Sequence, residues 1–309
     1  MTTDIDFNQR NSPSLNSVAI QVVLFNNSYE SVEKLLRAVS VCIQNVVDAG
    51  ITVQVFFGDC SALPVLSDNT LESQKAILIR SGADRVVYEV FDSNLGHGGG
   101  HNRLAKLQAT STIVIMNPDV YPAPKSLNYL LEAFYDPAVG IAEARQIPLE
   151  HPKDFDIMDG TTSWATGTFM AVRREAFDLV KGFDSDNFFL HCDDVDFSWR
   201  VRLAGYKIIH VPKAVIFHDK HPAWHKGPKA TAVEIRQGLA GRLMLAWKMG
   251  RTDIVEQTLA DINANPDAGI KKVAAQFIRK RDLGELPLPI PNANTVAEFV
   301  DGNYGPHRF

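Results

Sequence analysis

The sequence predicts an α/β fold with a mostly parallel central sheet flanked by helices, followed by a C-terminal helical extension. Three observations carry this reading. Apolar runs of strand length recur from residue 18, segments of helical periodicity alternate with them up to residue 119, and the last ninety or so residues are mostly helical in pattern. An unbroken apolar run marks a strand buried on both faces, as parallel strands are. Strand–helix alternation then places the helices as right-handed crossovers.

The run VAIQVVLF (18–25) is the first strand, ending at Asn26-Asn27-Ser28. Ser28 is suited to cap a helix reaching about residue 49, in which Val32, Leu35, Leu36 and Val39 repeat at helical spacing and which Gly50 stops. ITVQVFF (51–57) is the second strand and runs into Gly58-Asp59-Cys60-Ser61. A helix over 70–80, a strand over 85–90, a glycine-rich loop and helix over 94–109 and the strand TIVIM (112–116) follow, the last leading into Asn117-Pro118-Asp119. Beyond residue 119 the rhythm changes. Expected there are a helix over 126–135, a strand over 139–144, a polar loop over 146–162, a strand over 169–174 and an amphipathic helix over 193–204 closed by Gly205. Two short strands (206–212, 214–218) and helices over about 228–250, 252–263 and 267–282 complete the chain. The expected division is a tail (1–16), a catalytic domain (17–222, its halves meeting at residue 120) and the helical extension (223–309).

With 45% hydrophobic and 22% charged residues, the 309-residue chain is neither disordered, collagen-like nor a disulfide scaffold. Its formal charge of −5 argues against a nucleic-acid-coating surface. Cys42, Cys60 and Cys192 are few, odd in number and unclustered, which fits a reducing compartment. The polar first residues have no apolar centre of the signal-peptide kind, and no run approaches the roughly 20 apolar residues of a membrane span. A cytoplasmic location is expected, with peripheral membrane contact open to one segment described below.

Ligands of open parallel sheets bind beyond the carboxyl ends of the strands. Polar clusters stand at four such ends: Asn26-Asn27, Asp59-Cys60-Ser61, the loop 94–102 and Asn117-Pro118-Asp119. Singly, each is ordinary turn chemistry. Together, with an acid after the second and fourth strands, they read as the floor of a nucleotide pocket. The loop Asn94-Leu95-Gly96-His97-Gly98-Gly99-Gly100-His101-Asn102 has more glycine than a connection needs, and glycine lets backbone approach a phosphate or sugar. It is not a dinucleotide fingerprint, because it follows the third strand and His101 breaks the spacing; no GxxxxGK(S/T) occurs. Asp119 is either a turn acid or a ligand for Mg²⁺ or Mn²⁺ bridging a diphosphate. His191-Cys192-Asp193-Asp194-Val195-Asp196 is the densest acidic cluster. Helix-dipole complementarity explains part of it, and a part-buried carboxylate able to take a proton from a hydroxyl explains the rest. Zinc on His191 and Cys192 lacks a second ligand pair. His218 ends a strand, and Pro222 breaks any helical register with His221 and His225.

These pieces resemble family 2 glycosyltransferases of the GT-A fold, and most of all their rhamnosyltransferase-like branch. VAIQVVLFNN and GDCSA match the first two strand ends, NLGHGGGHN resembles the branch's N-x-G-aromatic-G-x-G-x-N loop, and MNPDV resembles its DxD motif. The most specific piece is ATGTFMAVRREAFDLVKGFDSDNFFLHCDDVDFSWRVRLAGYKIIHVPKAVIFH (165–218). The likeness covers about residues 17–220. It implies a GT-A fold and an inverting, metal-dependent transfer of a sugar, plausibly L-rhamnose from dTDP-rhamnose or else a sugar from a UDP donor, to a glycan or lipid-linked acceptor of cell-envelope assembly. By the same likeness Asn26, Asp59, Asn94, Gly96, Gly98, Asn102, Asn117 and Asp119 lie on the donor side, with Asp59 on the base. Asp119 and His218 hold Mn²⁺ or Mg²⁺, Asp194 is the general base, and Asp193, where the family usually has Glu, touches the acceptor. Asn117 replaces the first DxD acid, Lys181-Gly182 replaces Gly-Gly, and Cys60-Ser61-Ala62 departs from the usual Asn-containing turn.

Trp164 is open to two readings, an acceptor-stacking ring or a core residue, and Arg200 is placed to pair with a carboxylate. GRLMLAWKMGR (241–251), apolar between Arg242, Lys248 and Arg251, fits peripheral membrane contact or packing on the catalytic domain. The extension as a whole is open to roles as acceptor lid, homo-oligomer interface or membrane dock. Two rival functions remain: a sugar-1-phosphate nucleotidyltransferase, which needs a basic Gly-rich loop where Asn26-Asn27-Ser28-Tyr29-Glu30 stands, and an inactive glycan-binding module, which has no use for Asp119, Asp194 and His218.

Overall fold

A computed structural model describes residues 16–151, 153–219 and 231–305. The tail expected before residue 16, and His221, Pro222 and His225, lie outside the described residues. The first half alternates as expected: β1 (Ser17–Leu24), α1 (Tyr29–Asp48), β2 (Thr52–Asp59), α2 (Asp68–Arg80), β3 (Ala83–Val90), α3 (Gly96–Ala105) and β4 (Thr112–Met116). Ser28 caps α1, its Oγ accepting from the Ser31 amide at 3.2 Å. β1 shows why a run without polar alternation forms here. Val18, Ile20, Val22 and Leu24 pack under α1, while Ala19 faces Phe56 and Leu104 on the opposite side.

The second half comprises β5 (Val120–Pro122), α4 (Ser126–Glu132), β6 (Val139–Ile147), β7 (Phe169–Arg173), α5 (Arg174–Leu179), α6 (Asp193–Leu203) and β8 (Lys207–His218). All eight strands form one sheet in the order β3-β2-β1-β4-β7-β6-β8-β5. β1, β2, β3 and β4 pair in parallel, as do β6 and β8, whereas β7 runs antiparallel to β4 and β6 and β5 antiparallel to β8. β7 is reached from β6 through a long loop with no crossover helix, so it enters from the opposite end. Its start therefore lies beside the end of β4: Met116 faces Phe169, and the Asn117 amide donates to the Thr168 carbonyl at 2.9 Å. The two strands expected over 206–218 are one, bulged where its partner register steps from Val211 to Val215 around Pro212. Val120 pairs with His218, which brings the end of β8 to the turn after β4.

The extension comprises α7 (Ala232–Lys248), α8 (Thr252–Ala264) and α9 (Ala268–Asp282). Leu243, Ala246, Ile254, Leu259, Val273 and Phe277 make a core of their own. A second cluster joins it to the catalytic part, setting Met244, Leu245, Met249 and Ala293 against Trp164, Phe188, Val195 and Trp199. The 241–251 segment is thus inward-facing. Lys248 is 4% exposed, with its ammonium 2.6 Å from Asp184 and 2.5 Å from Asp196. This corrects the membrane-contact reading of that segment, because its apolar residues and its central lysine are used inside the protein. Among the described residues no helix is long and apolar enough to cross a membrane.

Candidate active site

A cavity of about 470 Å³ opens beyond the ends of β4 and β8. Asn117, Asp119 and His218 line one side, His97, Asp193 and Asp194 another, and Trp164, Glu234 and Tyr304 a third. Residues from both halves of the sheet and from the extension therefore meet in one pocket of the size small-molecule sites have.

On the first side, Asp119 Oδ2 lies 3.2 Å from His218 Nε2, and His218 Nδ1 lies 2.9 Å from Gln146 Oε1. An amide oxygen only accepts, so Nδ1 donates to Gln146 and Nε2 is the ring nitrogen turned to the carboxylate. A carboxylate oxygen and an imidazole nitrogen side by side are two potential ligands of one cation, and a contact such as that from Gln146, which orients the ring, is the usual support of a metal-binding histidine. The residues fit a divalent metal that substrate oxygens would complete. Among the described residues no three His, Cys, Asp or Glu side chains gather into a metal-binding group.

On the second side, α6 begins at Asp193 after Cys192, whose φ of 65° turns the chain sharply into the helix. Asp194 Oδ2 accepts from the Gly167 amide at 3.0 Å, and Oδ1 from the Val195 amide at 2.9 Å. Burial, with the adjacent Asp193 charge, raises the Asp194 carboxyl to about 6 against these bonds. Asp193 is buried, and its Oδ2 lies 2.6 Å from His97 Nδ1. Arg200 pairs with Asp196 at 2.7 Å, as its spacing suggested.

Several expected donor-side residues do not face the cavity. Asp59 is fully buried: its carboxylate accepts from the Ser61 amide (2.8 Å), the Val65 amide (2.7 Å) and the Tyr88 hydroxyl. It shapes the loop after β2 and presents no free edge to a base. Asn26, with φ 53°, ties its amide to Ser61 Oγ at 2.7 Å and joins the same two strand ends. Asn102 is engaged within the protein. Its side-chain amide bridges the Phe183 carbonyl (2.7 Å) and amide (2.9 Å), away from the pocket. α3 starts at Gly96, whose amide donates to Asn94 Oδ1 at 3.0 Å and closes a turn. A Cβ on Gly96 (φ +70°) would lie 2.2 Å from the Phe189 carbonyl oxygen, and one on Gly98 would lie 2.7 Å from Phe183 Cβ. These glycines admit neighbouring protein. Trp164 is 2% exposed, with the Lys153 ammonium 4.2 Å above its ring and His151 and Tyr304 at its edge. Its open face is gone, so it is a wall of the pocket and not a stacking platform.

Sequence reasoning missed four contributors. His97 gave a signal, a histidine where the resembled loop carries an aromatic ring. Buried Lys153, paired with Glu143 and donating to the Trp164 carbonyl at 2.5 Å, gave none within its polar loop. Glu234 and Tyr304 come from the extension, where no motif was recognisable.

No family model matches the chain. It is 39% identical over 74 residues to the rhamnosyltransferase WbbL of Escherichia coli K12, a stretch covering 24% of this chain and 26% of that protein. It is 26% identical to an N-acetylglucosaminyl-diphospho-decaprenol L-rhamnosyltransferase of Mycobacterium tuberculosis, covering 44% of this chain and 59% of that one. The chain thus spans from about a quarter to three fifths of the length of these curated relatives. Among solved structures it is similar to GalNAc-T7 with UDP, GalNAc and Mn²⁺, with a TM-score of 0.60 over 87% of this chain and 55% of that one at 12% identity. The chain is rhamnosyltransferase-like in sequence and has the GT-A glycosyltransferase fold.

Proposed function

We propose that a protein with this frame and this pocket is an inverting, metal-dependent glycosyltransferase. It moves a sugar from a nucleoside-diphosphate donor to a hydroxyl of a glycan or lipid-linked acceptor, with L-rhamnose from dTDP-rhamnose the favoured donor on the strength of the relatives' names. One observation carries the reading: a carboxyl raised to about 6 shares one cavity with a carboxylate–imidazole pair suited to a cation.

Asp119 and His218 would hold the divalent ion, whose chemistry is to neutralise the charge that grows on the departing diphosphate. Asp194, ionised above about pH 6, accepts the proton of the acceptor hydroxyl. The hydroxyl oxygen bonds to the anomeric carbon as the bond from that carbon to the diphosphate oxygen breaks, which inverts its configuration. Alignment of donor and acceptor in one walled cavity supplies on the order of 7–11 kcal/mol of the barrier reduction. Tyr304 and Glu234 of the extension line the same cavity, which supports an acceptor role for the extension in this reading.

A donor-hydrolysis screen tests it. Incubation with dTDP-rhamnose, UDP-galactose, UDP-glucose, UDP-N-acetylglucosamine or GDP-mannose and Mn²⁺ or Mg²⁺ is expected to release nucleoside diphosphate from one donor. EDTA and Asp119→Ala are each expected to abolish the release. Release that is indifferent to both would remove the metal from the reading.

A further inference from the structure

We infer that His97 is a positioning residue, an imidazolium locked between Asp193 and the Gly167 backbone that leaves Asp194 as the only proton acceptor of the adjacent acid pair. The catalytic consequence rests on the transferase reading; the ion pair itself does not.

Adjacent carboxylates on a part-buried helix start cannot both stay ionised without a counter-charge, and a shared proton would otherwise settle on the pair. The counter-charge is at hand, since His97 Nδ1 lies 2.6 Å from Asp193 Oδ2 and the His97 side chain is only 15% exposed. The backbone is cut to admit this contact from both sides. A Cβ on Gly167 would fall 2.6 Å from His97 Cε1, and one on Gly98 would fall 3.3 Å from Asp193 Oδ2. Gly167 then joins the two acids, because it bonds His97 and its amide also donates to Asp194 Oδ2 at 3.0 Å.

The charged and titratable neighbours of His97 are Asp193 and Asp194 on α6 and His101 one turn along α3, with ring centroids 4.8 Å apart. Asp194 faces Asp193, His97 and Cys192. Burial alone would lower the His97 imidazole, but the Asp193 charge and hydrogen bond, with Asp194 and the Gly167 backbone, raise it above its ordinary value. His101, buried and next to that cation, is pushed well down and stays neutral. The helix thus holds one charged and one neutral histidine a turn apart, and only the charged one touches the acids.

The test is nuclear magnetic resonance on the full chain labelled at histidine nitrogen and aspartate carboxyl carbon, titrated across about pH 5 to 8. Wild-type His97 is expected to keep both ring protons above the ordinary histidine midpoint and to lose that persistence in Asp193→Asn. Asp194 is expected to titrate near 6 and to move to higher pH in His97→Gln, because a nearby cation has been removed. Should His97→Gln fail to fold, His97→Phe, which restores the aromatic ring of the resembled loop, gives the same readout. A His97 that titrates at its ordinary midpoint, or an Asp194 midpoint that ignores both His97 variants, would overturn the inference. In the donor-hydrolysis assay the acid limb of kcat is expected to move to higher pH in the His97 variant while KM for the donor stays within a few-fold. If the resonance shifts appear but every donor is inert, the ion pair stands and the transferase reading falls.

Discussion

Asp194→Asn is expected to lower kcat by about 10²–10⁴-fold, the usual contribution of a general base, while donor binding and thermal stability stay near wild type. The substitution keeps the shape and one of the two backbone contacts, since the single amide oxygen accepts from Gly167 or from Val195 and the amide nitrogen cannot accept from the other, and it removes the basic oxygen. In the wild type the same carboxyl is expected to set the acid limb of the rate profile. Its value is raised to about 6, so the active ionised form is lost as the pH falls through about 6 and is complete above it. Steady-state rates across that range, for wild type and Asp194→Asn, check both statements. A variant of unchanged kcat would remove Asp194 from the chemistry.

The second large effect is on stability. Lys248→Met is expected to cost about 3–5 kcal/mol, because it leaves Asp184 and Asp196 with a buried charge uncompensated. Burial would raise the Asp184 carboxyl, yet the Lys248 bond and charge hold it below its usual range, which is the mark of a working pair. Arg200, 2.7 Å from Asp196, limits the loss on that side. By contrast Arg37→Met, which breaks an exposed pair one turn along α1, is expected to cost at most about 0.5 kcal/mol. Urea unfolding of the two variants measures the difference. Lys248 joins α7 to the acids below α6, so its loss is also expected to loosen the extension from the catalytic part first. A Lys248→Met protein as stable as wild type would show that the pair is not what docks α7.

The parallel half of the sheet was readable because burial on both faces leaves an unmistakable apolar run, as at 18–25 and 112–116. The three-residue β5 was not, since pairing of Val120 with His218 is a property of the folded edge and leaves no periodicity. Pro212 was read as a break between strands, whereas the sheet absorbs it as a bulge. At the site, the residues whose chemistry is their own charge (Asp119, Asp194 and His218) were legible and meet in one cavity. Glycine richness at 96–100 points equally to a phosphate cradle and to close helix packing, and only the fold shows the contacts with Phe189 and Phe183. Asn102 and Asp59 have the residue types of ligands, and both are hydrogen-bonded within the protein, Asn102 to the Phe183 backbone and Asp59 to the Ser61 and Val65 amides and the Tyr88 hydroxyl. His97 lies 96 positions before Asp193, and a partnership at that distance exists only once the sheet has brought α3 to α6.

The central claim is that the Asp119, His218 and Asp194 pocket takes a nucleoside diphosphate together with a divalent cation. Isothermal titration of dTDP, UDP and GDP into the full chain, with Mn²⁺ or with EDTA, tests it most directly. The account predicts saturable binding of one nucleotide with Mn²⁺, lost in EDTA and weakened in Asp119→Ala but retained in Asp194→Asn. A folded wild-type protein that binds none of the three in the presence of Mn²⁺ would contradict it.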